Sequence, residues 1–297
     1  MRKFFCFICL IFLLAFSAVS SEALSRQVIK FGLLTKLNST EEQFSETWKK
    51  TFAPNNEILE VIIKFYDNLT YMQMGLNAGE INHMVLPEPV AQYVMHQTNE
   101  YEAFLVLRSQ GMGLAFGFRE DNKKLRDDFN NALTRLKDSW ILSSIEGMYV
   151  ASSGTSEPEP VKFEKFEGAE TIRVAVTGDL PPVDYIAPDG TPAGFNTAVL
   201  SEVAKLLKKN IELVNIDSGA RTSALASGRV DVVFWYEIEK NAEIQSDIPN
   251  GVIVSQPYYE WEKFIHLKKA SKKSGSYSET YSDWSFFDLF FGENYKK

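Results

Sequence analysis

The stretch VAVTGDLPPVDYIAPDGTPAGFN, residues 174–196, has the form of the opening of an α/β domain, yet it lies past the middle of the chain. An apolar run is broken by Pro181-Pro182, a turn follows at Asp189-Gly190, and Gly194-Phe195-Asn196 leads into an apolar period of helical spacing. Where the remainder of that domain lies decides the fold.

Downstream, the pattern predicts a helix over 196–209, a strand over 211–216, a helix over 222–228 and a strand over 230–236, after an opening strand at 171–176. Upstream, a separate block runs to residue 150. It predicts strands at 28–34 and 58–66, a helix at 69–77 ending at Gly79, a short strand and helix in INHMVLPEPVAQYV, a strand in MGLAFGFRE, and two helices between 122 and 150. Ala151 to Pro160, rich in small residues, prolines and acids, reads as a linker that extends to 169. Strands alternating with helices imply parallel sheets covered by helices, whose ligands bind at the carboxyl ends of the strands.

The termini differ from this body. Arg2 and Lys3, the apolar run 4–16 and the small residues through Ala23 have the layout of a secretory signal peptide over 1–23, too short in its apolar part for a comfortable membrane span. Cys6 and Cys9 are the only cysteines of the chain and lie inside that segment, so the exported protein is expected to have no disulfide and no thiol chemistry. Residues 271–297, rich in Lys, Ser and aromatics, read as a tail. The net charge of −8 over 297 residues speaks against a nucleic-acid partner, since phosphate binding needs clustered cations. His83, His96 and His266 lack metal-ligand spacing, no nucleophile elbow or phosphate loop occurs, and neither a metal nor a cofactor is expected.

Residues 172–236, with Pro181-Pro182, Asp189-Gly190, Gly194-Phe195 and Ala224-Leu225-Ala226-Ser227-Gly228-Arg229-Val230-Asp231, resemble the start of the family 3 solute-binding proteins of ABC importers. The segment 255–269 is similar to the part of that family that leaves its first lobe. MGLNAGEINHMVLPEPVAQYV resembles its second-lobe helix and strand, and residues 113–150 its closing strand and helices. Every part occurs once, in rotated order. The resemblance therefore implies a circularly permuted, two-lobed periplasmic-binding-protein type II fold. Lobe 2 would be 28–108, and lobe 1 would combine 112–150 with 170–268, with one covalent crossing surviving near 107–113. Permutation costs little where the usual ends lie close together at the surface.

It further implies an exported protein, periplasmic or extracellular, that closes on a small polar metabolite, an amino acid or derivative, for a membrane permease. An enzyme of dehydratase type on the same scaffold, with Glu88 or Glu237 as general acid, and a ligand-sensing module are the alternatives. The family's carboxylate-binding Arg and ammonium-binding Asp have no direct counterparts here. Arg221 is the remaining candidate for a ligand carboxylate, against a surface Arg packed on Asp217. Asp179, Glu237 and Glu88 are candidates for a cationic group. Trp235 and Tyr236 could form a stacking wall, although alternation along a strand allows only one of them to face the cleft. Thr35, Asn38, Ser39 and Thr40 could donate to a carboxylate, or one of them could cap the next helix. Asn196 stands at a helix start, where capping competes with ligand contact.

Overall fold

The computed structural model describes residues 27–52, 59–108, 112–153, 157–239, 248–261 and 263–270. The expected signal peptide at 1–23, with both cysteines, and the tail at 271–297 lie outside the described residues.

The first block builds β1 (Gln27–Leu34), α1 (Glu41–Phe52), β2 (Leu59–Tyr66), α2 (Leu69–Ala78), β3 (His83–Pro87), α3 (Glu88–Gln97) and β4 (Tyr101–Arg108). Local chemistry sets the ends of these elements. Thr40 and Gln43 form a reciprocal capping box at the start of α1: Gln43 N donates to Thr40 Oγ1 at 3.2 Å, and Thr40 N to Gln43 Oε1 at 3.0 Å. Glu41 and Glu42 then occupy the first turn and Lys49 and Lys50 the last, each matching the helix dipole. Asn68 caps α2 by accepting from Tyr71 N at 2.8 Å, and Gly79, at φ 77°, supplies the left-handed residue that ends it.

The chain continues through β5 (Met112–Arg119), α4 (Lys123–Asp138) and α5 (Ile141–Tyr149) into the second block. There it forms β6 (Thr171–Val176), a small sheet of β7 (Asp179–Leu180), β8 (Asp184–Ile186) and β9 (Pro192–Ala193), then α6 (Phe195–Leu207) and β10 (Asn210–Asn215). A 3-10 turn (Ser218–Ala220), α7 (Arg221–Ala226), β11 (Val232–Glu239), β12 (Val252–Val254), β13 (Tyr259–Glu260) and β14 (Lys263–Lys269) follow.

Two larger sheets result, with one order of strands. The first runs β2-β1-β3-β14-β4 and the second β10-β6-β11-β5-β12, with β13 also paired to β5. In each, the parallel strands of one block accept an antiparallel strand delivered by the other: β14 between β3 and β4, and β5 between β11 and β12. The lobes therefore exchange strands, and neither sheet is complete without the other block.

This differs from the expected boundaries in one respect. Residues 263–269, expected in the lobe spanning 170–268, belong to the first sheet, so a second crossing runs from β13 to β14. Two crossings join the lobes rather than the single one expected near 107–113; residues 109–111 of that first crossing lie outside the described residues. Residues 255–269 were placed by resemblance alone, and nothing local in KFIHLKK names the sheet it joins.

The segment read as a linker is held in place. Tyr149 Oη donates to Glu159 O at 3.2 Å, Tyr93 Oη to Glu157 Oε2 at 2.7 Å, and Val161 N to Pro192 O at 2.8 Å. Val161 is itself buried. The apolar core is continuous across the lobes: Leu69, Met72 and Leu76 of α2 share one buried cluster with Leu180, Val183 and Phe116 of the second lobe. Such burial, at roughly 25 cal/mol per Å² of apolar surface, is the main force holding the two halves together.

Candidate functional site

The carboxyl ends of the parallel strands in both sheets face one another, and the loops that follow them supply the polar groups. From the first lobe come Thr35 and Lys36 after β1, and Asp67 after β2. From the second come Thr177 to Asp184 after β6, the 3-10 turn after β10, and Glu237 in the distal part of β11. Three contacts join the two sets. Lys36 Nζ pairs with Glu237 Oε2, both side chains being largely buried. Asp67 Oδ1 accepts from Gly219 N at 3.1 Å and from Thr35 Oγ1 at 2.8 Å. Asp179 Oδ2 accepts from Leu69 N, in the first turn of α2, at 2.7 Å.

Two carboxyl groups behind these contacts titrate abnormally. Burial pushes Asp179 up to about 6, helped by the nearby charge of Asp184 and opposed by the N–H groups of Leu69 and Thr70. Its Oδ1 is buried without a hydrogen-bond partner. Asp184 is fully buried, and burial raises its pKa against the pull of Thr177 N at 2.9 Å, Thr177 Oγ1 at 3.0 Å and Gly178 N at 3.2 Å. The guanidinium of Arg221 also favours the charged form of Asp184.

Arg221 is not a surface residue. It is 7% exposed; Nε donates to Ser218 O at 3.0 Å and Nη1 to Phe234 O at 3.3 Å, and the guanidinium lies 5.9 Å from the Tyr236 ring centroid. Tyr236 corrects the expectation of a cleft wall. It is buried in an apolar cluster with Ala175, Ile216 and Leu225. A register shift in β11 between Val233 and Tyr236 explains the placement: Val232 and Phe234 face the main core, while Val233 and Tyr236 face the other cluster. Simple alternation fails at such a bulge. The side chain of Trp235 lies outside the described ones.

Asn196 is likewise withdrawn from the cleft. It is fully buried, accepts from Tyr258 Oη at 2.9 Å, and leaves the helix start to Gly194. Glu88 opens α3 and accepts from Lys263 Nζ at 3.0 Å and Gln92 Nε2 at 3.3 Å, close to the second crossing. Thr40 caps α1, as one of the two readings held; Asn38 is exposed and Ser39 half-buried in the same turn. Of the sequence candidates, the structure thus brings Thr35, Asp179 and Glu237 together across the lobes, with Arg221 packed behind. Lys36, Asp67, Asp184 and Gly219 were missed. Asp67-Asn68 directly before the helix at 69–77 carried a signal, but for a cap rather than for a contact with the other lobe.

Comparison with known proteins bears on this arrangement. Residues 172–281 match the family model of the bacterial extracellular solute-binding proteins, family 3. That segment is similar to the family 3 solute-binding proteins. The match begins at β6 and takes in the strand ends that carry Asp179, Asp184, Arg221 and Glu237. Solved structures similar to this chain include the ligand-binding component of an ABC-type import system from Staphylococcus aureus with zinc bound. It is 12% identical, with a TM-score of 0.46, covering 89% of this chain and 71% of that one. Another is the alkanesulfonate-binding protein of Xanthomonas axonopodis pv. citri bound to MOPS, 7% identical with a TM-score of 0.41, covering 82% of this chain and 66% of that one. A third is the agropinic acid complex of a binding protein from A. tumefaciens R10, 9% identical with a TM-score of 0.39, covering 71% of this chain and 55% of that one. No curated protein sequence matches the chain.

Proposed function

We propose that the protein is an exported solute-binding protein that captures a small polar metabolite, an amino acid or derivative, between its lobes for an ABC importer. The observation that carries this reading is the convergence of Thr35, Lys36, Asp67, Asp179 and Glu237 from strand ends of both sheets onto one interface. A solute gripped by both sets would favour the closed state by its differential affinity for it. Arg221, anchored to backbone carbonyls behind the interface, is the proposed source of positive potential for a solute carboxylate. Asp179, Glu237 and Glu88 are the proposed counterparts for an ammonium. The rotated order of the family's parts is the proposed origin of the chain, supported by the way each sheet takes one strand from the other block. Export rests on the N-terminal sequence and on the extracellular family.

One observation favours the enzymatic alternative. Asp179, shifted to about 6, retains a protonated fraction of about one-tenth at neutral pH, as a general acid requires. A thermal-shift screen of amino acids, amines and small carboxylates, with mass spectrometry on each stabilising compound, separates the readings. A binding protein returns its solute unchanged. Turnover of a hit would transfer the site to the enzymes, and the absence of any stabilising solute would remove the transport reading.

A further inference from the structure

We propose that the aromatic segment 282–297 folds back onto the outer face of α5 and covers it. Glu146 is the single charged residue of that helix. Its inner face, Ile145 and Tyr149, is buried, while Ile141 and Met148, two turns apart, are 36% and 55% exposed on the outer one. Trp140, directly before them, is 77% exposed. A helix that is apolar all round is ordinarily buried all round. Two further features serve nothing within the described body. Trp140 holds the left-handed conformation at φ 63°, where glycine is the usual residue and another side chain costs about 1–2 kcal/mol. Gly147 sits inside the helix at a cost of roughly 1 kcal/mol against alanine, although a Cβ there would meet nothing within 4 Å. Both costs acquire a reason if another segment lies on this face: the ring is presented outward, and the missing Cβ admits a close approach.

The chain itself supplies the occupant. Residues 284–291 hold Trp284, Phe286, Phe287, Leu289, Phe290 and Phe291, and they lie beyond the family-matched 172–281. An apolar run of this kind is a hazard unless it is covered. Its point of departure is close enough. β14 ends at Lys269, and Ala270 N donates to Glu100 O at 2.8 Å. From there the described surface leads past Gln97, which donates to Glu157 at 2.9 Å, to Glu159, whose carbonyl receives Tyr149 Oη at the end of α5. Extended, 271–283 spans up to about 43 Å, and α5 is about 13 Å long, so the aromatic run has the reach to lie along it. Arg135 and Lys137, exposed in the last turn of α4 just before Trp140, have no ion pair among the described residues and suit Asp283 and Asp288. Asp138 beside them offsets part of that attraction, and exposed pairs add little, so apolar burial supplies most of the docking. A second copy would offer the same aromatic run. The tether, however, sets an effective concentration in the millimolar range, above that of a partner copy in dilute solution.

Oxidation by dilute hydrogen peroxide, located by mass spectrometry in the chain 24–297, tests the docking. Met74 of α2, 61% exposed, is the internal reference for Met148. In the parent, Met148 is expected to oxidise roughly fivefold or more slowly than Met74, because a covered sulfur reacts slowly. In a variant carrying Trp284→Ser, Phe287→Ser and Phe290→Ser, the two methionines should oxidise at like rates. If that variant cannot be prepared, Trp140→Gly, whose new residue suits the backbone angle, removes the patch from the other side and is read in the same way. Like rates in the parent, protection that survives the substitution, or protection that falls on dilution, as a second copy would give, would each overturn the proposal.

Discussion

His83 and His266 show how far burial alone can move a side chain's chemistry. They lie in the first lobe among Phe31, Trp48 and Phe104, with His266 stacked on Trp48 at 5.8 Å and His83 tilted against Phe104 at 4.6 Å. Burial depresses His83 to about 4, with the Lys268 charge adding to it, and His266 to about 3, with the His83 charge adding. Both nitrogens of His266 are buried without a hydrogen-bond partner, so protonation would create a buried charge with nothing to receive it. The sign follows directly. Above the unfolded value near 6.5 both states are neutral and stability is unaffected; as pH falls below it, the unfolded chain takes up protons that the folded one refuses. Each histidine then costs about 1.4 kcal/mol per pH unit until its folded value is reached. Asp179, raised to about 6, acts the other way: its contribution is whole below its unfolded value near 3.8 and is lost as pH rises through 6. His266→Phe isolates the histidine part. Between pH 6.5 and 4.5 this variant should lose about 2 kcal/mol less stability than the parent, read from urea midpoints at the two pH values. Parallel losses in the two proteins would mean that His266 titrates normally.

At the scale of elements, β11 and β5 are matched by an absence. Gly117 in β5 has no side chain because the Tyr236 ring fills the space: a Cβ there would lie 2.1 and 2.4 Å from two ring carbons. Gly117→Ala should therefore destabilise by about 1–3 kcal/mol, measured by denaturant unfolding, because neither the strand nor the buried ring has room to move. A neutral effect would show the ring to be mobile. For α1 the decisive feature is its first turn. Thr40→Ala removes the acceptor for Gln43 N and should cost about 0.5–2 kcal/mol, measured by denaturant unfolding. Most spans were readable from the sequence, because apolar period, caps and turn residues are local: the strand at 28–34, the helix at 69–77 stopped by Gly79, and the paired helices of 122–150 all came from such signals. The bulge in β11 was not readable. It depends on how that strand meets β5, which lies more than a hundred residues earlier, and it sends Tyr236 into the core while Glu237 meets Lys36. The candidate site was legible to the same degree. Asp179 and Glu237, at predicted strand ends, were among the sequence candidates that the structure brings to the interface; Asp67, which meets the backbone of Gly219 in the other lobe, was not named among them.

For the molecule as a whole, the governing feature is the exchange of strands between blocks. The resemblance implied the parts of a family 3 binding protein in rotated order, but not that residues 263–269 join the first sheet, since nothing local in KFIHLKK names a partner. That return leaves β4 paired through β14 alone within its sheet, just as β12 is paired through β5. Neither block can then satisfy its own backbone or cover its own apolar face. The most direct test of this account is thermal unfolding of residues 24–153 and 157–297 produced as separate polypeptides, each alone and then mixed. The account predicts no cooperative melt from either piece alone, and a cooperative melt of a one-to-one complex on mixing. A native-like cooperative melt from either piece by itself would contradict it, because that piece would then be a closed domain and the cleft between exchanged lobes would not exist.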